Sequence, residues 1–418
     1  MKVLYLCPDL GVPVLGHKGA AVHVREMAAA FERDGHRVLL AAPQLNKSPW
    51  EEPAEANGRL LHVPPGPEAM AVFLSLKTYN EAIGVENSLP GELRRILHDK
   101  EFGLTLKQKF DNHRPDFIYE RASLYATAGT RLARELDRPL ILELNAPLAL
   151  EQSTYRATGL GDLASRAEHW VLRRADAVLT VSGVLREYTI SLGVEPGRVH
   201  VIPNGVDAER FRPGTPDPNV RERWNLGDGP ILGFVGGLRP WHGVEALPAL
   251  LEVLVGRYPE AKLVIAGDGP LRDALVLELA GRGLGENAVF TGWMAHTEVA
   301  ALTQTFDVAL APYPRPDHDF YFSPLKLFEY MACGVPVVST DLGQISEVVR
   351  EGETGLLCPP GDQEALVAAC ERLLEDPELR SRLGKAAAKE VHTRYTWDRN
   401  ATRVVEIAES LIAKRGSR

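Results

Sequence analysis

Ser323-Pro324-Leu325-Lys326-Leu327-Phe328-Glu329-Tyr330-Met331-Ala332-Cys333-Gly334-Val335-Pro336-Val337-Val338 reads as a turn, a helix and a buried strand in succession, and this stretch decides the fold. Pro324 suits the first position of a helix, so the free backbone N–H groups after Ser323, that of Leu325 among them, point outward with the positive end of the helix dipole. An anion is held well at such an end. Lys326 adds a positive charge there. Glu329, about one turn further along, offers a carboxylate that can accept hydrogen bonds from two adjacent hydroxyls, as a ribose presents. Together these residues point to a nucleoside diphosphate. The alternative is a capped amphipathic helix running into a core strand, and the surrounding sequence has to decide between the two.

On either side of this stretch, short apolar runs alternate with helical patterns, the signature of parallel sheets with crossover helices. In the first half the strand candidates are Val3–Cys7, Val38–Ala42, Asp116–Glu120, Pro139–Leu144, Ala177–Val181 and Arg198–Ile202. In the second they are Ile231–Val235, Lys262–Ala266, Ala288–Thr291, Val308–Leu310, Val335–Ser339 and Gly355–Cys358. The pattern predicts two α/β domains, residues 1–210 and 211–395, joined near Phe211-Arg212-Pro213-Gly214-Thr215-Pro216-Asp217-Pro218, where three prolines and a glycine interrupt the periodicity. After Asp362 the chain reads as helical to its end. The last helix, about Trp397 to Lys414, is expected to cross back onto the first domain, so that residues 396–418 belong with it.

Residues 66–112 fit neither series. Arg94, Arg95, Lys100, Lys107 and Lys109 are interleaved with Glu92, Asp99, Glu101 and Asp111, which reads as a solvated helix face in preference to a membrane-binding one. At most peripheral membrane contact is expected.

The 418 residues are 45% apolar and 25% charged, ordinary for a soluble globular protein of two or three domains. A net charge of −9 argues against a general nucleic-acid binder, which needs concentrated Lys and Arg. Cys7, Cys333, Cys358 and Cys370 show no Cys-x-x-Cys spacing and read as reduced core thiols. The chain opens directly on a strand-like run without the pattern of a signal peptide, and no segment approaches the length of a membrane span. A cytoplasmic location is therefore expected.

Gly16-His17-Lys18-Gly19-Ala20-Ala21-Val22-His23 follows the first strand and opens the first helix, where glycines admit a ligand to the backbone and the helix end attracts negative charge. It lies at the carboxyl end of a parallel sheet, where open α/β sheets bind ligands, but lacks the Gly-x-Gly-x-x-Gly dinucleotide pattern. A tight structural turn is the competing reading. The second domain opens in the same way: Gly236-Gly237-Leu238-Arg239-Pro240-Trp241-His242-Gly243 follows a strand, and Arg239 and His242 are placed to neutralise a leaving diphosphate. Gly267-Asp268-Gly269-Pro270 repeats the pattern, and Thr291-Gly292-Trp293-Met294 is placed to present backbone groups to a base.

Taken in order, these segments resemble the retaining nucleotide-sugar glycosyltransferases of family 4, along nearly the whole chain. Further carriers are Ala175-Asp176-Ala177-Val178-Leu179-Thr180-Val181-Ser182, Val201-Ile202-Pro203-Asn204-Gly205-Val206-Asp207 and Glu353-Thr354-Gly355-Leu356-Leu357. The resemblance implies the glycosyltransferase-B fold of two facing Rossmann-like domains. It places the nucleotide in the second domain, with Glu329 on the ribose, the amides around Pro324–Lys326 on the diphosphate, and Trp293 and Met294 on the base. It places a sugar, small-molecule or lipid-linked acceptor in the first domain, beside His17, Lys18, His23 and Asn145. The implied reaction is transfer with retention, by a front-face route in which the departing phosphate oxygen takes the acceptor proton. That chemistry needs no protein nucleophile, no metal and no cofactor besides the donor substrate.

Departures from the family pattern are equally specific. An arginine and, five residues later, a lysine are usual in the loop where this chain has Gly237 and His242, so Arg239 is expected to move in, assisted by Lys326. Tyr321 stands where a sugar-reading glutamate precedes Glu329 by eight. In place of the usual histidine after the third strand candidate, Asp116-Phe117-Ile118-Tyr119-Glu120-Arg121 offers Glu120 or Arg121, together with Asn145. A structural Glu–Arg pair at a strand end is the competing reading. Asp317-His318-Asp319 looks like a metal-binding Asp-x-Asp, yet it lies in a proline-rich loop of a fold that works without metal, and reads better as solvated loop or sugar contact. Two other readings remain open: a phosphorylase or epimerase on the same fold, and a non-catalytic nucleotide-sugar-binding protein.

Overall fold

The computed structural model describes residues 1–46, 59–110, 114–155 and 159–416. The chain divides into two units, Met1–Pro203 with Trp397–Arg418, and Asn204–Thr396.

The first unit is built on an all-parallel sheet of seven strands: β1 Lys2–Leu6, β2 Arg37–Ala42, β3 Arg59–His62, β4 Phe117–Arg121, β5 Leu140–Leu144, β6 Ala177–Thr180 and β7 Val199–Val201, in the order β3-β2-β1-β4-β5-β6-β7. The inner strands are near-continuous apolar runs because crossover helices cover both faces of the sheet. β3 escapes the sequence reading for the converse reason. It is a four-residue edge strand whose side chains are exposed or half-buried, and it carries no core signature.

The segment between β3 and β4 forms two helices, Pro67–Ala82 and Leu89–Phe110. The solvated-face reading fails here for two acids. Glu92 is fully buried and accepts hydrogen bonds from the Tyr125 hydroxyl (2.8 Å) and the Gly159 amide (3.2 Å). Asp99 accepts from the amides of Thr127 and Ala128, both at 2.8 Å, and so caps the next helix from a neighbouring one. Asp111 lies outside the described residues.

The C-terminal helix, Trp397–Gly416, belongs to the first unit. Trp397 is buried against His23, Asn400 donates to the Pro203 carbonyl at 2.7 Å, and Arg415 grips both oxygens of Asp176 at 2.9 Å.

The second unit carries a six-stranded parallel sheet: β8 Ile231–Val235, β9 Lys262–Ala266, β10 Ala288–Gly292, β11 Val308–Ala311, β12 Val337–Thr340 and β13 Leu356–Cys358, in the order β10-β9-β8-β11-β12-β13. Both sheets are doubly wound, with a reversal of strand order beside β1 and beside β8, and the Gly-rich loops leave from those two strands. Such a reversal opens a crevice at the carboxyl ends of the strands.

The unit boundary lies a few residues before the proline-rich stretch. Asn204 already belongs to the second unit through Ser323, and Phe211 is buried in that unit's core. The stretch Phe211–Pro218 therefore lies within the second unit, anchored by Phe211 with residues 212–218 exposed.

Candidate active site

In the second unit, three turns converge on the helix Leu325–Ala332. Pro324 is its N-cap, not its first residue, so the free first-turn amides are those of Leu325 and Lys326. The turn ahead of the helix is pinned from the start of the unit: the Asn204 amide donates to Ser323 Oγ at 3.0 Å, and Asn204 Nδ2 to the Ser323 carbonyl at 2.6 Å. From inside the helix, the Tyr330 hydroxyl accepts from the Val235 amide at 2.6 Å and ties the helix to the end of β8.

The loops after β8 and β9 press against each other. A Cβ on Gly267, at φ +141°, would lie 2.0 Å from the Gly236 carbonyl oxygen, so glycine is required there. A Cβ on Gly236 would lie 2.8 Å from Lys326 Nζ, which places the ammonium directly beneath the Gly236-Gly237 backbone. Lys326 Nζ is buried with no hydrogen-bond partner among the described residues, 3.9 Å from the Phe234 ring centroid and 5.5 Å from that of Tyr313. Burial drives its pKa from 10.5 down to about 7, against the opposing pull of Glu329. An unpaired buried cation under a glycine loop at a helix N-terminus is an arrangement that can hold an anion.

His242 cannot stand in for the missing lysine. Its Nδ1–H donates to the Gly237 carbonyl, which leaves Nε2 as a lone pair. Burial, Lys326 and Arg239 lower its pKa to about 4 despite that hydrogen bond, so the ring is neutral and Nε2 offers a phosphate no proton. Arg239 is half-buried, with its guanidinium over the Trp241 indole at 5.2 Å. It makes no ion pair among the described residues and supplies the permanent charge of the loop. Asp268 turns inward on its own loop, its carboxylate accepting from the Gly269 amide at 2.7 Å.

Glu329 is buried, and Oε1 accepts from His296 Nε2 at 2.7 Å. His296 Nδ1 in turn receives Arg210 Nη1 at 2.8 Å. Trp293 is 54% exposed, while Met294 packs on the core beside it. Tyr321 is buried and stacked on His318, with ring centroids 5.1 Å apart, in an aromatic group with Phe320 and Phe322. The structure thus brings Gly237, Gly267, Lys326 and Glu329 to one end of the sheet. His296, Arg210, Asn204, Phe234 and Tyr313 join them there without having been singled out as site residues. Only Asn204 had a signal, through Asn204-Gly205-Val206-Asp207.

In the first unit the candidates separate. Alternation along β4 puts Glu120 and Arg121 on opposite faces of the sheet. Glu120 turns toward the helix Ala128–Leu136, where a Cβ on Gly129 would lie 1.8 Å from its Oε2. Burial and the charge of Asp99 raise its carboxyl to about 8. A neutral acid wedged under a helix does not meet substrate, which removes Glu120 from the catalytic set. Arg121 lies on the other face, 3.8 Å from Glu143 Oε2, and His23 Nε2 is 2.6 Å from Glu143 Oε1. Burial alone would raise the Glu143 carboxyl, but His23, Arg121 and Tyr119 outweigh it and hold the group at about 2. His23 is only 3% exposed, so it acts on this buried carboxylate and not on an acceptor directly.

Gly16 closes a turn through its amide onto the Pro13 carbonyl at 2.8 Å, and Arg25 Nη1 donates to the carbonyls of Val14 and Gly16. Lys18 and Gly19 are exposed at the mouth of the first helix, with His17 half-buried before them. Asn145, after β5, has a buried Nδ2 with no partner among the described residues.

The profile described as Glycosyltransferase Family 4 matches residues 17–210, and that described as Glycosyl transferases group 1 matches residues 217–390. The chain belongs to glycosyltransferase family 4. As a family 4 glycosyltransferase it is 31% identical over 309 residues to a GDP-mannose-dependent alpha-mannosyltransferase of Mycolicibacterium smegmatis, covering 73% of this chain and 76% of that one. It is 26% identical over 427 residues to the glycogen synthase of Mycobacterium tuberculosis, covering 100% and 96%. The sucrose-phosphate synthase of Thermosynechococcus elongatus shares the glycosyltransferase-B fold, with a TM-score of 0.73 at 20% identity over 99% of both chains. Among the described residues of this glycosyltransferase, no helix is long and apolar enough to cross a membrane.

Proposed function

We propose that this glycosyltransferase moves a hexosyl group from a nucleoside-diphosphate sugar to an acceptor hydroxyl with retention of configuration and without a metal ion. The observation that carries this reading is the buried Lys326 Nζ, without a hydrogen-bond partner among the described residues, beneath the Gly236-Gly237 loop, with a carboxylate one turn along the same helix. The diphosphate lies across the amides of Leu325 and Lys326, with the ammonium and the Arg239 guanidinium supplying the charge that a divalent ion provides elsewhere. Glu329 accepts from the ribose hydroxyls, and the backbone at Trp293 and Met294 meets the base. Tyr321 and its aromatic neighbours border the donor sugar.

Catalysis in this reading is stabilisation of the leaving diphosphate together with positioning of the acceptor, whose proton passes to the departing phosphate oxygen. The acceptor, a sugar, small molecule or lipid-linked hydroxyl, is taken by the first unit near His17, Lys18 and Asn145, with Arg121 behind them. The GDP-mannose dependence of one relative supports a nucleotide-sugar donor. Four free, buried cysteines suit a reducing compartment, and we place the protein in the cytoplasm.

EDTA-treated protein incubated with a panel of nucleoside-diphosphate sugars and acceptors tests the reading. Acceptor-dependent release of nucleoside diphosphate is expected, with the donor's anomeric configuration kept in the product by proton NMR. An inverted product, a strict need for a divalent ion or phosphate-dependent turnover overturns it.

A further inference from the structure

We propose that His296 is a positioning residue for the donor ribose, locked by Arg210 in the tautomer that fixes the Glu329 carboxylate. The inference rests on the reading of Glu329 as the ribose acceptor. A guanidinium only donates hydrogen bonds. Because Arg210 Nη1 stands 2.8 Å from His296 Nδ1, that ring nitrogen carries the lone pair and the ring proton sits on Nε2, which donates to Glu329 Oε1 at 2.7 Å. A proton on Nδ1 would turn an N–H against the guanidinium, so this geometry selects the tautomer that carries its proton on Nε2.

Every member of the relay is itself held. Arg210 Nη2 lies 3.1 Å from Asp207 Oδ2, and Asp207 Oδ1 accepts from the amides of Glu209 (3.0 Å) and Arg210 (3.1 Å). The fully buried Phe211 packs on the imidazole, with ring centroids 5.1 Å apart. His296 opens the helix His296–Thr303 two residues after Met294, so one loop carries both the base-side backbone and the group that aims the ribose carboxylate.

Glu329 Oε2 takes no protein hydrogen bond among the described residues, and Oε1 retains a second lone pair after His296 has used one. The carboxylate therefore stands oriented before the nucleotide arrives, with acceptor capacity for two adjacent hydroxyls, and less side-chain freedom is lost on binding.

Calorimetry with UDP, GDP and ADP, each against its 2′-deoxy counterpart, tests this on the wild type and on the variants E329A, H296F and H296Q, with folding checked by circular dichroism. The wild type is expected to prefer the ribonucleotide about tenfold. E329A and H296F should each lose that preference. H296Q should keep it within about threefold, because a glutamine amide presents an acceptor toward Arg210 and a donor toward Glu329 in the same order. Nitrogen-15 NMR near neutral pH should show the His296 proton on Nε2. If E329A loses the preference and H296F keeps it, the inference falls and the ribose reading stands. If E329A keeps it, or the wild type has none, the ribose reading falls and takes the inference with it. Loss in H296Q equal to that in H296F, or a proton on Nδ1, overturns the tautomer lock.

Discussion

The Lys326 ammonium lies 3.9 Å from the centroid of the Phe234 ring, buried on an aromatic face with no hydrogen-bond partner among the described residues. In the proposed reading this cation is held for the donor diphosphate, and its pKa of about 7 makes that role measurable. Below that pH the lysine is charged and a diphosphate binds without further protonation. Above it, binding has to recruit a proton. Nucleoside diphosphate affinity should therefore fall as pH rises through about 7, by up to tenfold per pH unit. Calorimetry in buffers of different ionisation enthalpy should show proton uptake at pH 8 or so. Lys326→Met should bind weakly at every pH and show no uptake. A pH-independent affinity in the wild type contradicts the assignment.

The same lysine affects stability in the unliganded protein. Its folded pKa lies below the unfolded value of 10.5, so between about 7 and 10.5 the unfolded chain binds more protons and this group's contribution to stability rises with pH. In urea melts across that window, Lys326→Met should flatten the rise and be the more stable protein at neutral pH.

The Arg239 guanidinium lies over the exposed Trp241 ring and makes no ion pair among the described residues. Arg239→Ala should leave the melting temperature unchanged within a degree or two, and lower kcat by about 10- to 100-fold through loss of leaving-group stabilisation. Full activity in this variant would assign the diphosphate charge to Lys326 and the helix amides alone.

Glu120→Gln should retain transferase activity, because Glu120 faces the helix Ala128–Leu136. Its folded pKa of about 8 lies above the unfolded value, so its stabilising effect is complete below pH 4.5 and is lost as pH rises through about 8. Between those limits the wild type should lose stability with rising pH relative to the neutral isostere. A large loss of kcat in Glu120→Gln would return this residue to the active site.

Gly267→Ala drives a methyl group to 2.0 Å from the Gly236 carbonyl oxygen at φ +141° and should cost about 2–4 kcal/mol or displace the loop. Gly281→Ala is the matched control: it is helical, with open space around the new methyl group, and should stabilise by about 0.5–1 kcal/mol. Chemical denaturation of the two variants decides the comparison, and Gly267→Ala should also weaken donor binding.

The sequence by itself determined the two parallel sheets, because strands buried on both faces are written as continuous apolar runs separated by crossover helices. It missed β3, whose edge position leaves it half exposed. It also marked the donor stretch, since a helix start with a lysine and a carboxylate one turn apart is a local pattern. Tertiary structure alone decided what depends on facing directions and distant partners. The pleat of β4 sends Glu120 and Arg121 to opposite faces. His242 is neutralised by burial and by a lysine from another element, against the hydrogen bond to a carbonyl five residues back. Glu92 and Asp99, spaced like surface charges, are buried acceptors for segments remote in sequence. Lys326 was legible as a cation but not as a buried one near its titration point, because the Phe234 and Tyr313 rings that desolvate it come from β8 and from the segment after β11. His296 reaches Glu329 across 33 residues of chain, a separation over which no spacing rule operates.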